Sequence, residues 1–313
     1  MLEKAWNLVV TIKGFGDESA DATKQQVFAV AAVFGTDDEW ALAIREWLRR
    51  TRGLPFHATD CESQYANDSD PQKHKDALRL YYDLTQILAR SHLVGFSVAL
   101  NLDAYRRIIG TNVVADWAYY KALADVIGFA AMTARGFNEH PEFAEDVRLE
   151  FTFDSRLESN GTAGTMYTML ASSSDWAETG IFDTKIQFEG GPGKTPRLEM
   201  ADLLARESMK ELERKITKAR PKMRGARLAL EETQKFRFFE RGEDDWNRLK
   251  SYVEQPESTA LMNGFEEWLI KKGQINGKGQ TVLTIDSWCR YLAWVDNRDA
   301  IAKRRGGVSS SER

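Results

Sequence analysis

The chain has 313 residues, of which 42% are hydrophobic and 29% charged, with 16 Phe and 9 Trp. That is enough apolar material for one large core, or for a core domain with an extension, and it excludes an intrinsically disordered chain. A net charge of −4 excludes a global attraction to nucleic acid, so any contact with phosphate must come from local clusters.

Two β-rich runs open the chain, Leu8 to Gly16 and Gln26 to Gly35. The turn-like stretch Asp17 to Thr23 between them predicts an antiparallel hairpin. The apolar start, Leu8 to Val10, is too short for a signal peptide. No run approaches the roughly eighteen apolar residues of a membrane span, so a cytoplasmic protein without membrane contact is expected. Asp37 and Asp38 lead into a helix over Glu39 to Arg50, with Trp40, Ile44, Trp47 and Leu48 on one face. Leu54 to Pro71 reads as irregular chain. Helices follow over Gln72 to Ala89 and Ala115 to Arg135, with a strand at His92 to Asn101 between them. A strand at Val147 to Asp154, a helix at Thr162 to Ala171, a short strand at Thr184 to Glu189 and a helix from Leu198 to about Arg220 complete the pattern.

This order predicts an α/β fold in which helices layer a mixed sheet. Beyond about Ala226 the pattern changes to aromatic and charged chain. A domain over residues 1–226 and a helical C-terminal extension over 227–313, with a disordered tail from Arg304, are expected. The two cysteines, Cys61 and Cys289, lack zinc-site spacing and read as reduced, inert thiols. From Arg206 to Arg227 the chain carries nine Lys or Arg against three Glu, and Arg45, Arg49, Arg50 and Arg52 form a second cluster. Such runs are ordinary solvated helix faces or, alternatively, a strip that binds phosphate locally.

Three acidic positions stand out. Gly16-Asp17-Glu18-Ser19 closes the first strand and, alone, reads as a polar turn. In Val147 to Asp154 the odd positions are apolar, which puts Asp154 on the opposite face at the carboxyl end, where α/β sheets place ligand groups. In Leu198 to Arg206, at about 100° per residue, Asp202 lies about 40° from Leu198 at the edge of the apolar stripe. A carboxylate there is costly unless it is paired or binds a metal. Glu199, three residues earlier, is near enough to share a ligand role, while Arg206, four residues later, could pair with Asp202 instead. Spacing leaves both open.

These residues, in this order, carry a resemblance. Asp17-Glu18-Ser19, then Phe56-His57-Ala58-Thr59-Asp60, then Phe153-Asp154, then Leu198-Glu199-Met200-Ala201-Asp202-Leu203-Leu204-Ala205 resembles the family called domain of unknown function 3800. Its members show Asp-Glu-Ser-Gly on the first strand, a Leu-His or Phe-His element, a strand ending in Asp, and a Leu-Gln-x-Ala-Asp-x-x-Ala helix. The resemblance covers about Leu8 to Ala226 and implies a ribonuclease H-like fold. It implies too that acidic residues of central strands and a late helix converge on Mg²⁺ or Mn²⁺. The implied site is Asp17, Asp154 and Asp202, with Glu18 and His57 in support; Glu199, which departs from the family's pattern, adds a negative side chain that could serve as a further ligand. Here Ala20 replaces the usual Gly, Glu199 replaces the usual Gln, and Pro55 stands where an acidic residue is common.

The implied function is a metal-dependent nuclease acting on DNA or RNA, in keeping with the family's likeness to accessory genes of phages, mobile elements and defence loci. Oxygen ligands suit hard cations, and two ions can activate water and stabilise a leaving oxygen. The alternative is a non-catalytic protein on the same fold that binds nucleic acid or a partner. Gly190 to Thr195 resembles a P-loop, but Phe188 stands where the motif needs its first Gly. A loop beside the site, with Lys194 meeting phosphate, is the expectation instead. Ser19 and His57 lack the Gly-x-Ser-x-Gly elbow of a hydrolase triad.

Overall fold

A computed structural model describes residues 8–21, 26–67, 70–109, 116–138, 145–154, 164, 167–168, 181–182, 186–189, 195–218 and 220–253. Six strands form one sheet: β1 (Leu8–Ala20), β2 (Val27–Gly35), β3 (Val94–Asn101), β4 (Glu145–Asp154), β5 (Gln187–Glu189) and β6 (Phe236–Arg241), in the order β5-β4-β1-β2-β3-β6. The first three strands run antiparallel; β4 is parallel to β1, β5 to β4, and β6 to β3. This is the expected mixed sheet, with β1 and β4 side by side near its centre.

Helices cover both faces, which is why β2 is buried along almost its whole length. On one face α5 (Asp116–Asn138) packs against Val30, Ala32, Phe34, Leu149, Phe151 and Phe153. The other face takes α1 (Asp37–Thr51), α2 (Ala58–Asn67), α3 (Pro71–Arg90) and α6 (Pro196–Thr217), over Phe15, Ala31 and Val33. Helix α1 starts at a capping box, in which the Thr36 side chain accepts from Glu39 and the Glu39 carboxylate accepts from the Thr36 amide. Helix α6 crosses β1, β2 and β3.

The structure departs from the expected pattern in several places. Helix α2 lies in the stretch read as irregular, and α4 (Leu102–Ile109) follows β3 without a break. Strand β1 does not stop at Gly16 but carries Asp17, Glu18 and Ser19 into register with Ala31, Val30 and Ala29. The turn is shorter than expected because the Asp21 carboxylate accepts the amides of Gln26 and Val27 and closes it. The chain after residue 226 also stays in the sheet unit as far as it is described. Helix α7 (Gly225–Glu232) packs Ala226 and Leu230 into the α6 side, β6 extends the sheet beside β3, and α8 (Glu243–Val253) buries Trp246 on the α5 side. Arg241 of β6 reaches Asp125 of α5 at 2.9 Å. Residues 254–313, most of the expected extension, lie outside the described residues, as do most of the expected helix at Thr162 to Ala171 and the Gly190 to Lys194 loop.

Candidate functional site

The strands bring two of the acids together through register. The last β1–β4 pair is Gly16 with Phe153, so Asp17 and Asp154 are the next residue of each strand. Neighbouring strands lie about 4.8 Å apart, and side chains alternate between faces. Asp17 follows the parity of Phe15, and Asp154 is opposite in parity to Phe151 and Phe153, so both face the layer that holds α6. Each is only 3% exposed. The close approach depends on Gly16, where a Cβ would collide with the Phe153 ring. Asp17 Oδ1 also accepts the Glu18 amide at 2.9 Å.

Helix α6 supplies Asp202, 2% exposed. At 100° per residue Asp202 lies about 20° from Met209, and Met209 packs with Ala29, the register partner of Ser19. Its Oδ2 accepts the Ala58 amide at 2.8 Å, at the first turn of α2. His57 Nε2 stands 3.9 Å from the same oxygen, and His57 Nδ1, 3.8 Å from Asp60, is buried without a hydrogen bond. The pairing of Asp202 with Arg206 that spacing left open does not form, because Arg206 donates to Glu62 of α2 at 2.6 Å.

Two expected members are placed differently. Glu18, paired with Val30, points to the opposite sheet face from Asp17, a consequence of the strand running on where a turn was expected. Glu199 is 3% exposed, and its two oxygens accept the Trp47 indole N–H at 2.6 Å and the Phe56 amide at 2.9 Å. Among the described residues no group of three or more His, Cys, Asp and Glu side chains lies close enough together to hold a metal ion. The donor chemistry of Asp17, Asp154 and Asp202 nevertheless suits a hard divalent cation, because all three offer carboxylate oxygens.

No protein-family model matches the sequence, and no curated protein matches it. Among solved structures, it is similar to one described as Bst-RNase HIII in complex with Mn²⁺. That likeness has 14% identity and a TM-score of 0.38, and covers 80% of this chain and 72% of that one. At that distance it says nothing of what this chain does.

Behind the acids lies a buried charged network that the sequence did not announce. Glu62 receives Arg206 at 2.6 Å and Arg224 at 2.9 Å, and both guanidinium groups hold its carboxyl below the ordinary range although burial opposes this. Arg224 also meets Glu207 at 3.0 Å, and the Tyr81 hydroxyl donates to that carboxylate at 2.6 Å. Burial dominates at Glu207 and pushes its carboxyl upward. Helical spacing shows only that Arg206 and Glu207 lie on α6; their partners come from α2 and from the residue before α7.

The same contacts change the reading of the basic run. Arg206, Lys210, Arg214, Lys215, Arg224 and Arg227 pair with Glu62, Glu213, Glu211, Glu240, Glu207 and Glu231 in turn. Most of the run is neutralised within the protein, and Lys218, Arg220 and Lys222 remain as an exposed group. Burial pushes the Cys61 thiol up to about 11, in keeping with an unreactive cysteine. No helix among the described residues is long and apolar enough to cross a membrane.

Proposed function

We propose that the protein is a divalent-metal-dependent nuclease that cleaves phosphodiester bonds in DNA or RNA, with Asp17, Asp154 and Asp202 holding Mg²⁺ or Mn²⁺. The observation that carries this reading is the β1–β4 register, which sets Asp17 beside Asp154 on the sheet face crossed by the helix of Asp202. The resemblance to the domain of unknown function 3800 family, with its ribonuclease H-like fold, points the same way. When bound, the metal would supply Lewis-acid activation of water and stabilise the leaving oxygen.

The chain's own residues have separate tasks in this reading. Asp17 and Asp154 present carboxylates from rigid strands. Asp202 is held by the Ala58 amide, and its hydrogen bond fixes the direction of its side chain. His57, beside Asp202 and about a third exposed, stands where it can touch substrate. Lys194 and the Lys218 to Lys222 group are the proposed phosphate contacts.

A second reading has its own support. The exposed Lys218, Arg220 and Lys222 group suits a protein on the same fold that binds nucleic acid or a partner without cutting it. Cleavage assays on mixed DNA and RNA with Mn²⁺, Mg²⁺ and EDTA separate the two. Metal-dependent cleavage lost in Asp154→Asn supports the nuclease. Binding without cleavage under every condition replaces it with the second reading.

A further inference from the structure

Helix α6 holds the chain around His57 at three successive points. Glu199, Asp202 and Arg206, at spacings of three and four residues, share one side of the helix. Glu199 accepts the Phe56 amide at 2.9 Å, Asp202 accepts the Ala58 amide at 2.8 Å, and Arg206 donates to Glu62 at 2.6 Å. The partners advance along the loop and the first turns of α2 in the same order. His57 sits between the two amides that are held.

Glu199 is also braced from a third element. The Trp47 indole of α1 donates to its second oxygen at 2.6 Å, and the Trp47 ring meets the Phe56 ring edge-on, with centroids 5.5 Å apart and planes at 87°. Phe56 in turn meets Tyr81 of α3 at 6.1 Å. A charged carboxylate accepting two N–H groups in a buried place makes strong, directional bonds. Glu, one methylene longer than Asp, spans from α6 to α1 and to the loop together.

We infer that Glu199 is a positioning residue for the candidate site: its carboxylate fixes Phe56 against Trp47 and thereby sets His57 against Asp202. This rests on the proposed nuclease reading for its kinetic consequence only. The hold on the loop stands on the hydrogen bonds. It differs from the direct ligand role that the spacing to Asp202 allows for Glu199, since each of its oxygens already accepts a protein N–H group.

The test compares wild type with Glu199→Gln and Trp47→Phe in the full chain. Glu199→Gln keeps the shape but turns an NH₂ toward one of two N–H donors; Trp47→Phe keeps an aromatic ring and removes only the indole donor. Hydrogen exchange of the Phe56 to Ala58 amides is read first, because it needs neither metal nor turnover. It is expected to speed up at least tenfold in Glu199→Gln, and less in Trp47→Phe, while the β1–β4 amides stay protected. Unchanged exchange in the loop overturns the inference. Mn²⁺-induced stabilisation and cleavage are read second. The inference predicts that Glu199→Gln keeps the Mn²⁺ shift while kcat falls about tenfold at similar KM, as expected for a lost orienting contact. Loss of the Mn²⁺ shift with exchange unchanged would mean that Glu199 is a ligand after all. If wild type shows neither shift nor cleavage, the nuclease reading falls, and the exchange data alone decide the role of Glu199.

Discussion

Asp202 accepts the amide of Ala58, 144 residues away in sequence, through a buried hydrogen bond of 2.8 Å. This bond ties the α6 acid to the first turn of α2, where an anionic side chain is favoured by the exposed N–H groups of the helix start. Replacing Asp202 therefore has two separable effects. Asp202→Asn retains an oxygen for Ala58 and removes the charge; stability is expected to hold within about 1 kcal/mol. Asp202→Ala strands the buried amide and should cost about 1–3 kcal/mol. Denaturant titrations of the two variants check this, and equal losses would show that the bond to Ala58 contributes nothing.

The Glu62 network gives a pH dependence with a defined sign. The folded-state pKa of Glu62 lies below its ordinary value of 4.5, so its contribution is fully present above that value. It is lost as pH falls through the lower folded value. Glu62→Gln should cost about 3–5 kcal/mol at neutral pH, because Arg206 and Arg224 lose their buried partner. The gap between variant and wild type should narrow below pH 4.5. A gap that is constant from neutral pH to acid would point to lost packing and not to charge.

Gly16 is the third point of attack. A methyl group there would enter the space of the Phe153 ring, one residue before Asp154. Gly16→Ala is expected to cost about 1–3 kcal/mol by overpacking. Because the displaced ring belongs to the strand that carries Asp154, Mn²⁺ affinity should fall as well. Thermal melts with and without Mn²⁺ measure both at once; unchanged stability would mean that the strands approach less closely at this point.

How much of this was legible in the sequence depends on the range of the interaction. Asp154 was readable because the alternation of Val147, Leu149, Phe151 and Phe153 is local and fixes its face. The apolar stripe of α6 was readable for the same reason. Helix α2 was not. Its sequence, Ala58 to Asn67, carries no long apolar stripe, and it is held from α6 by Asp202 and Arg206. Glu18 was misplaced because the extent of β1 depends on pairing with β2, which prolongs the strand past residues that disfavour strands. Glu199 showed in the sequence only as a charge near Asp202. Its partners, Trp47 and Phe56, are 152 and 143 positions away. Strand β6 was missed because its role, an edge beside β3, appears only once β3 is placed.

The exposed cations of the α6–α7 connection give a prediction about binding. Lys215 is engaged by Glu240, so its reversal should perturb that pair and not nucleic-acid affinity. Reversing Lys218 and Lys222 to Glu should weaken binding and lower the log–log salt slope by roughly one for each lost phosphate contact. Fluorescence anisotropy with labelled DNA and RNA oligonucleotides over a salt series measures it. An unchanged slope returns these residues to a solvated surface.

The most direct measurement of the central claim is a thermal melt of wild type and Asp17→Asn with and without Mn²⁺, run beside cleavage of mixed DNA and RNA. With Mn²⁺ at a hundredfold excess over its dissociation constant, binding to the folded state stabilises by about 2.7 kcal/mol. A metal site at Asp17, Asp154 and Asp202 predicts that shift in wild type, its loss in Asp17→Asn, and the loss of cleavage with it. A wild-type protein that melts identically with and without Mn²⁺ and cuts no substrate contradicts the account.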